Sequence, residues 1–414
     1  MLTIAVHLAT DVEENEWRGR PGPDAGAPDP TAPAPALAAD DTGARPIARA
    51  LAYVRGCTGL AVAPDERVLL TDHRILPLSW TRDAYYQALL LLVADGDGDR
   101  TRVADHLRWL WRRCRRPAGR WVRSHHANGE PKDLAFQADE QLYPLVELAD
   151  YWRVAGDLPD GVEWRAVVPA AWAAALAALD PAVGLIGSDE NAADDRAELP
   201  FIAASQVLLW YAAVRLAEPG LAARTGLSPS TLAVTAAGVR GAFARHLVSG
   251  GGWAYATDGH GRTRSYHDAN DLPTALAPLW GFCATDDAAW RATMTFAFSD
   301  ANPAFSVQPP RGLGSVHTPG TWTLGDVQAW LVARAIGDAH GTAAAVGRLQ
   351  EAAFADAMLP EAYTFGPGPA VRTRQWFAWP GAAFGAFSLL DRRAALGWLA
   401  AAPPGGRRPA AGDG

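Results

Sequence analysis

I-G-S-D-E-N-A-A-D-D-R-A-E-L-P-F, residues 186 to 201, sets five acidic residues (Asp189, Glu190, Asp194, Asp195 and Glu198) between two apolar helical stretches. A helix cap needs one such residue, or two. Carboxylates packed this densely repel one another unless a site uses them or water screens them. The residues suggest a site, and the loop's place between its helices indicates the fold.

Outward from this loop the dominant pattern is helical. From Ala48 onward apolar residues recur at three- and four-residue steps, rich in Ala and Leu, with sparse strand signals. Clusters of Gly, Pro, Asp and Asn break the pattern. The periodicity predicts twelve helices, over 46–56, 81–95, 99–115, 137–155, 163–179, 201–217, 228–247, 271–284, 286–298, 324–337, 340–357 and 380–400. Polar and aromatic motifs fall where an odd helix leads into an even one. These are Ser79–Asp83, Phe136–Glu140, the opening loop, Tyr266–Asp271, Gly312–Gly320, and Leu359–Tyr363 with Arg374–Pro380. The even-to-odd connections, such as Gly156-Asp157-Leu158-Pro159 and Gly337-Asp338, are short and plain. In a ring of antiparallel hairpins all odd-to-even loops emerge at one end. The expected fold is therefore all-α, an (α/α)6 toroid of six hairpins with a cleft at its decorated mouth.

The rest of the chain narrows the class. Of 414 residues 49% are hydrophobic, enough for one large core or two ordinary domains. A net charge of −8, with both signs mixed, argues against a nucleic-acid partner. The basic run Arg108–Arg123 reads as cations at a helix C-terminus. Three scattered cysteines (Cys57, Cys114, Cys283) imply neither a disulfide framework nor a cysteine zinc site. Nothing resembles a secretory signal or a membrane span, so the expectation is a cytoplasmic protein with no membrane partner. Residues 1–45, rich in Pro, Ala, Gly and Asp, read as a flexible segment, 46–402 as one helical domain, and 403–414 as a disordered tail.

Seventeen tryptophans beside clustered carboxylates suit a carbohydrate partner. Rings stack on sugar C–H faces, and carboxylates bind hydroxyls and move protons. Glycoside hydrolysis needs two carboxyl groups. In an inverting enzyme they stand ~6.5–9.5 Å apart, so they come from different loops across a cleft. Asp194 or Asp195 against Glu361 fits that demand. Asp83 either favours the start of its helix or binds sugar hydroxyls while Arg82 fixes it. Trp80, Trp376 and Trp379 are stacking platforms or core. His125, His126, His267, Asp268 and His317 lack metal-site spacing on a helix and read as hydrogen-bonding residues. No metal or other cofactor is expected.

Read together, six ordered blocks between Trp80 and Trp379 resemble glycoside hydrolase family 125, the metal-independent exo-α-mannosidases. Trp80-Thr81-Arg82-Asp83 is similar to W-L-R-D. Asp139 to Trp152 resembles a block that ends in Y-W, and Asp194-Asp195 with Ser205-Gln206 resembles D-D-A…S-N. Asp268-Ala269-Asn270 resembles D-A-N-V-P. Asn302-Pro303 with Gly312–Pro319 resembles N-P-Y…G-I-G-S-P-H-T-P. Glu361 followed by Thr373-Arg374-Gln375-Trp376-Phe377-Ala378-Trp379 resembles H-E-S-F…T-R-x-W-F-x-W. The resemblance implies inverting, metal-free hydrolysis of terminal α-mannosides, typically α-1,6-linked. It implies a general acid on the Asp194–Asp195 pair, Asp194 preferred, and a general base on Glu361. Arg82, Asp83, Asn270 and His317 would line the sugar subsite. Trp80, Asp139, Asp268, Arg374 and Trp376, from the same blocks, and His267, beside Asp268, are further substrate-binding candidates. The chain departs from the family at Asn191-Ala192-Ala193, at Glu198-Leu199-Pro200, in one extra residue within Asp268–Pro273, and at Pro360 beside the base. Asp189, Glu190 and Glu198 are expected to set its specificity. Another toroidal α-glycosidase of glucoamylase or trehalase type, and a non-catalytic sugar-binding toroid, are the alternatives.

Overall fold

The computed structural model describes residues 44–401. The expected flexible segment and tail lie outside the described residues, except that Ala44 and Arg45 begin the first helix. Thirteen α-helices occur among the described residues. They are α1 (Ala44–Tyr53), α2 (Thr81–Ala94), α3 (Asp99–Arg108), α4 (Ala138–Ala155), α5 (Trp164–Leu176), α6 (Ala203–Leu216), α7 (Pro219–Thr225), α8 (Pro229–His246), α9 (Leu272–Trp280), α10 (Ala288–Ala297), α11 (Thr323–Ile336), α12 (Ala339–Ala352) and α13 (Ala378–Arg392).

Six of them close a ring. α2 packs on α4, α4 on α6, α6 on α9, α9 on α11, α11 on α13, and α13 back on α2. These inner helices are buried nearly all round, and the charged residues that α2 and α4 carry are buried with them. In α2 every residue from Thr81 to Val93 is buried. α1, α3, α5, α8, α10 and α12 form the outer layer and keep a solvent face. The toroid predicted from loop parity is the observed fold.

The twelve expected helices all form, and α7 is added. Glu218-Pro219-Gly220 looks like a break in sequence, but Pro219 occupies the first turn of α7, where a missing N–H costs nothing. The ends also move. Phe201 and Ile202 pair as a strand with Ala256–Thr257 and so precede α6. α13 stops at Arg392, and Leu396–Leu399 forms a separate 3-10 turn. Gly156 and Gly337 end α4 and α11 in the left-handed conformation, which a side chain would resist.

Helix direction places the site. All six inner helices begin at the decorated end, and none carries a side-chain cap of its own. Outer helices α8, α10 and α12 do, from Ser228, Asp287 and Asp338. Neighbouring segments satisfy the inner N-termini instead. Glu140 accepts from the Thr81 N–H (2.5 Å), Ser188 from Ala138, Glu361 O from Thr323 and Thr71 O from Ala378. Each loop is thus tied to the helix next to it. The positive ends of six helix dipoles also converge on one mouth and favour the carboxylates gathered there.

Candidate active site

Arg82, in the first turn of α2, is the hub. It is buried, and its guanidinium lies 2.8 Å from Asp139, 3.3 Å from Glu140, 3.6 Å from Asp83 and 3.9 Å from Asp194. It also donates to Gln137 Oε1 (3.1 Å) and lies 4.9 Å over the Trp379 ring. One cation facing four carboxylates cannot keep all of them ionised out of water. Burial, against the pull of Arg82, pushes the Glu140 carboxyl well up and that of Asp83 up to about 6. The Thr71 hydroxyl donates to Asp83 Oδ2 at 2.6 Å. The cluster therefore gathers carboxyl oxygens that can accept from sugar hydroxyls around one buried cation.

Asp194 and Asp195, adjacent in sequence, face different partners. Gln137 donates its amide N–H to Asp194 Oδ1 at 2.6 Å and to Glu190 Oε2 at 3.2 Å. Asp194 sits at φ 65, a left-handed conformation Asp tolerates better than most residues. Asp195 turns the other way, its Oδ1 3.2 Å from Nδ1 of His317. Asn191 braces both: its carbonyl accepts the Asp194 N–H, and its side chain accepts the Asp195 N–H.

Glu361 is buried at the head of the strand Ala362–Thr364, which pairs with Thr321–Trp322 on one side and Ala370–Thr373 on the other. The third strand leads into Arg374, whose carbonyl accepts the Glu361 N–H (3.1 Å) and whose guanidinium lies 3.4 Å from Glu361 Oε1. Arg374, tied twice to Glu361, holds φ 40, a strained value for a long side chain. α6 and α13 stand three places apart in a ring of six, so the loops carrying Asp194 and Glu361 enter from opposite sides. Asp83 bridges them electrostatically: Arg374 lowers its carboxyl and Asp194 raises it.

A cavity of ≈ 10 Å³ opens among Asp139, Tyr143, Glu190, Ser205, Asn270 and Asp271. That is room for about one water, so a hexose enters only if the walls part. Asp268 accepts from Ser315 (2.8 Å), Tyr266 and the Asn270 amide (2.7 Å), and so holds Asn270 at the cavity. His267 is spent on the scaffold: it is buried and bonds Gln328 at 2.7 Å. Trp80 is buried as core. Trp376 donates to Asp356 (2.7 Å) and packs with Tyr53, His73 and Arg74 rather than with the carboxylates. Of the three acids expected to set specificity, only Glu190 reaches the cavity. Asp189 is exposed, and Glu198 pairs with Arg262 and Arg264 on the surface.

Three residues here go beyond the sequence-derived set. Gln137 joins Arg82 to Asp194 and Glu190. Glu140 joins α4 to α2. Asp271 is buried at the cavity wall, its carboxyl pushed well up by burial and by Asp268. Asp271 lies in the one-residue insertion within Asp268–Pro273, a signal that could have singled it out.

A helical toroid with paired carboxyl groups on opposite sides of its mouth is the architecture of the six-hairpin glycoside hydrolases. A sequence profile of the metal-independent alpha-mannosidases, glycoside hydrolase family 125, matches residues 173–389, just over half of the 414. The chain belongs to this family and is a glycoside hydrolase. No curated protein matches it. Among solved structures it is similar to the Streptococcus pneumoniae metal-independent alpha-mannosidase, in a non-productive complex with alpha-1,6-mannobiose. The TM-score is 0.70 at 18% identity, over 84% of this chain and 94% of that one. A bacterial glucoamylase complexed with acarbose matches at TM-score 0.62 and 11% identity, over 85% of this chain and 56% of that one. The family 78 rhamnosidase of Bacillus sp. GL1 matches at 0.60 and 15%, over 86% and 35%. At these identities the likeness is one of fold.

Proposed function

We propose that this chain removes terminal α-linked mannose, of the α-1,6 type, by inverting hydrolysis, with Asp194 as general acid and Glu361 as general base. The observation that carries the reading is the pair of held carboxyl groups on opposite loops. Asp194 has Oδ1 fixed by Gln137, and Glu361 is fixed by Arg374. Family membership supports the reaction class, and the mannobiose complex of the Streptococcus pneumoniae enzyme supports the sugar and linkage.

In this reading the terminal mannose enters the cavity and spreads Asp139, Glu190 and Asn270. Arg82 and Asp83 bind its hydroxyls. Asp194 gives its proton from Oδ2 to the glycosidic oxygen as the bond to the anomeric carbon breaks. Glu361 takes a proton from the water that attacks that carbon from the opposite face. The product is β-mannose, and Asp194 regains a proton from solvent.

A panel of α-linked disaccharides, assayed with proton NMR detection, tests this. Mannose should be released, β-anomer first, from the α-1,6-mannoside. Initial α-anomer would refute inversion. Release of glucose alone would favour a glucoamylase-like specificity, which the altered residues 191–193 and the insertion at Asp271 could create.

A further inference from the structure

A second, larger cavity opens at the same face beside the carboxylate cluster. Its volume is ≈ 640 Å³, and its walls are segments 303–309, 315–320 and 364–372. Two of these walls run straight into the site. Ser315 lines the groove while its hydroxyl donates to Asp268, and two residues on His317 stands 3.2 Å from Asp195. The third wall belongs to the hairpin that Glu361 heads and Arg374 follows.

The groove's chemistry differs from that of the sugar cavity. Its sides are Phe305, Val307, Val316 and Pro319. Val307 and Val316 are 53% and 52% exposed, two of the few large apolar side chains so exposed among the described residues. Apolar side chains left open to water and gathered in one concavity mark a ligand surface. One charge faces the same space. Arg372 is exposed on the lining, and no carboxylate pairs with it among the described residues. The nearby arginines are engaged, Arg311 by Asp300 and Arg374 by Glu361.

We propose that this groove binds the aglycone of the substrate, and that the aglycone is an anionic amphiphile. Its apolar chain or ring lies along Phe305, Val307 and Val316, and its phosphate or carboxylate meets Arg372. The proposal rests on the mannosidase reading of the site. A general acid stands beside the leaving oxygen, so the leaving group lies on the Asp194–Asp195 side. The Asp195–His317 contact is where the groove meets the cleft.

Two measurements on the full chain test it. The first compares octyl and methyl α-mannoside as substrates. The octyl compound should be favoured at least ~10-fold in kcat/KM, since a buried alkyl chain is worth a large factor in binding. Val307→Asp should bring the ratio towards one. The second titrates octyl phosphate, below its micelle concentration, by calorimetry. It should bind saturably to one site, at least ~10-fold more weakly in Arg372→Gln, which loses a charge-assisted contact, and likewise in Val307→Asp. Equal turnover of the two mannosides overturns the proposal, as does octyl phosphate binding that is absent or indifferent to both substitutions. If neither mannoside is hydrolysed although the α-1,6-mannoside is, the proposal is overturned; if none of the three is hydrolysed, the mannosidase reading fails and the octyl phosphate titration still decides the groove. An unchanged Tm in each variant separates lost binding from lost folding.

Discussion

Gln137 Nε2 donates to Asp194 Oδ1 at 2.6 Å, and the same side chain accepts from Arg82 at 3.1 Å. Gln137 is fully buried, so its amide cannot turn to other partners. In the proposed mechanism it is a positioning residue, because it holds Oδ1 of Asp194 and leaves Oδ2 free to face the glycosidic oxygen. Gln137→Ala should lower kcat on an α-linked disaccharide by ~10–100-fold. The loss should shrink on an aryl mannoside with an activated leaving group, which needs little proton donation. Equal losses on both substrates would mark Gln137 as merely structural.

The two adjacent acids separate by the same logic. Asp194→Asn should cost at least ~10²-fold on the disaccharide and recover on the activated aryl mannoside. Asp195→Asn removes the partner of His317 and should cost less on either. If Asp195→Asn instead shows the leaving-group recovery, the acid is Asp195.

Glu361→Gln should lose at least ~10²-fold on both substrates, because activation of water is needed whatever the leaving group. Folding should be preserved, since the Glu361 backbone bonds to Thr323 and Arg374 do not involve the carboxylate. Full activity in this variant would remove Glu361 from the mechanism.

Asp83 predicts a pH effect of definite sign. Burial pushes its carboxyl from the usual 3.8 up to about 6. The folded state therefore binds the proton more tightly than the unfolded chain does. The stabilising contribution is complete below about 4 and is lost as pH rises through about 6. The stability of the wild type relative to Asp83→Asn should fall across that window by up to about 3 kcal/mol and stay level on either side. Denaturant melts at stepped pH measure it, and a difference that grows with pH would contradict burial as the dominant influence.

At the opposite end of the ring, Arg215 on α6 bonds Asp150 on α4 at 2.6 Å and Tyr211 at 2.7 Å, all buried. Tyr85 on α2 completes the set, donating to Asp150 at 3.0 Å. Arg215→Ala strands the Asp150 charge out of water and should cost about 3–5 kcal/mol, seen as a lower Tm. KM for the disaccharide should change little, because Arg215, Tyr211 and Asp150 lie in the later turns of α6 and α4, whose beginnings form the site.

The sequence by itself determined the toroid, its twelve main helices and the face on which the site lies. Helical periodicity is local, and loop parity follows from it by counting. The same local signals pointed to Arg82, Asp83 and the Asp194–Asp195 pair, because charged residues in the first turns and leading loops of buried helices are conspicuous; the family resemblance singled out Glu361. Only the tertiary structure decided which neighbours those residues have. Asp194 and Asp195 are chemically alike and adjacent in the chain, yet one meets Gln137 and the other His317, 57 and 122 residues away. His267 and Trp376 look like site residues in their motifs, but packing commits them to Gln328 and Asp356. Asp271 looks like a helix cap, but it lies buried in the wall of the cavity, where burial and Asp268 push its carboxyl up. Partner choice and desolvation depend on contacts between distant segments, and a residue's type and spacing do not carry them.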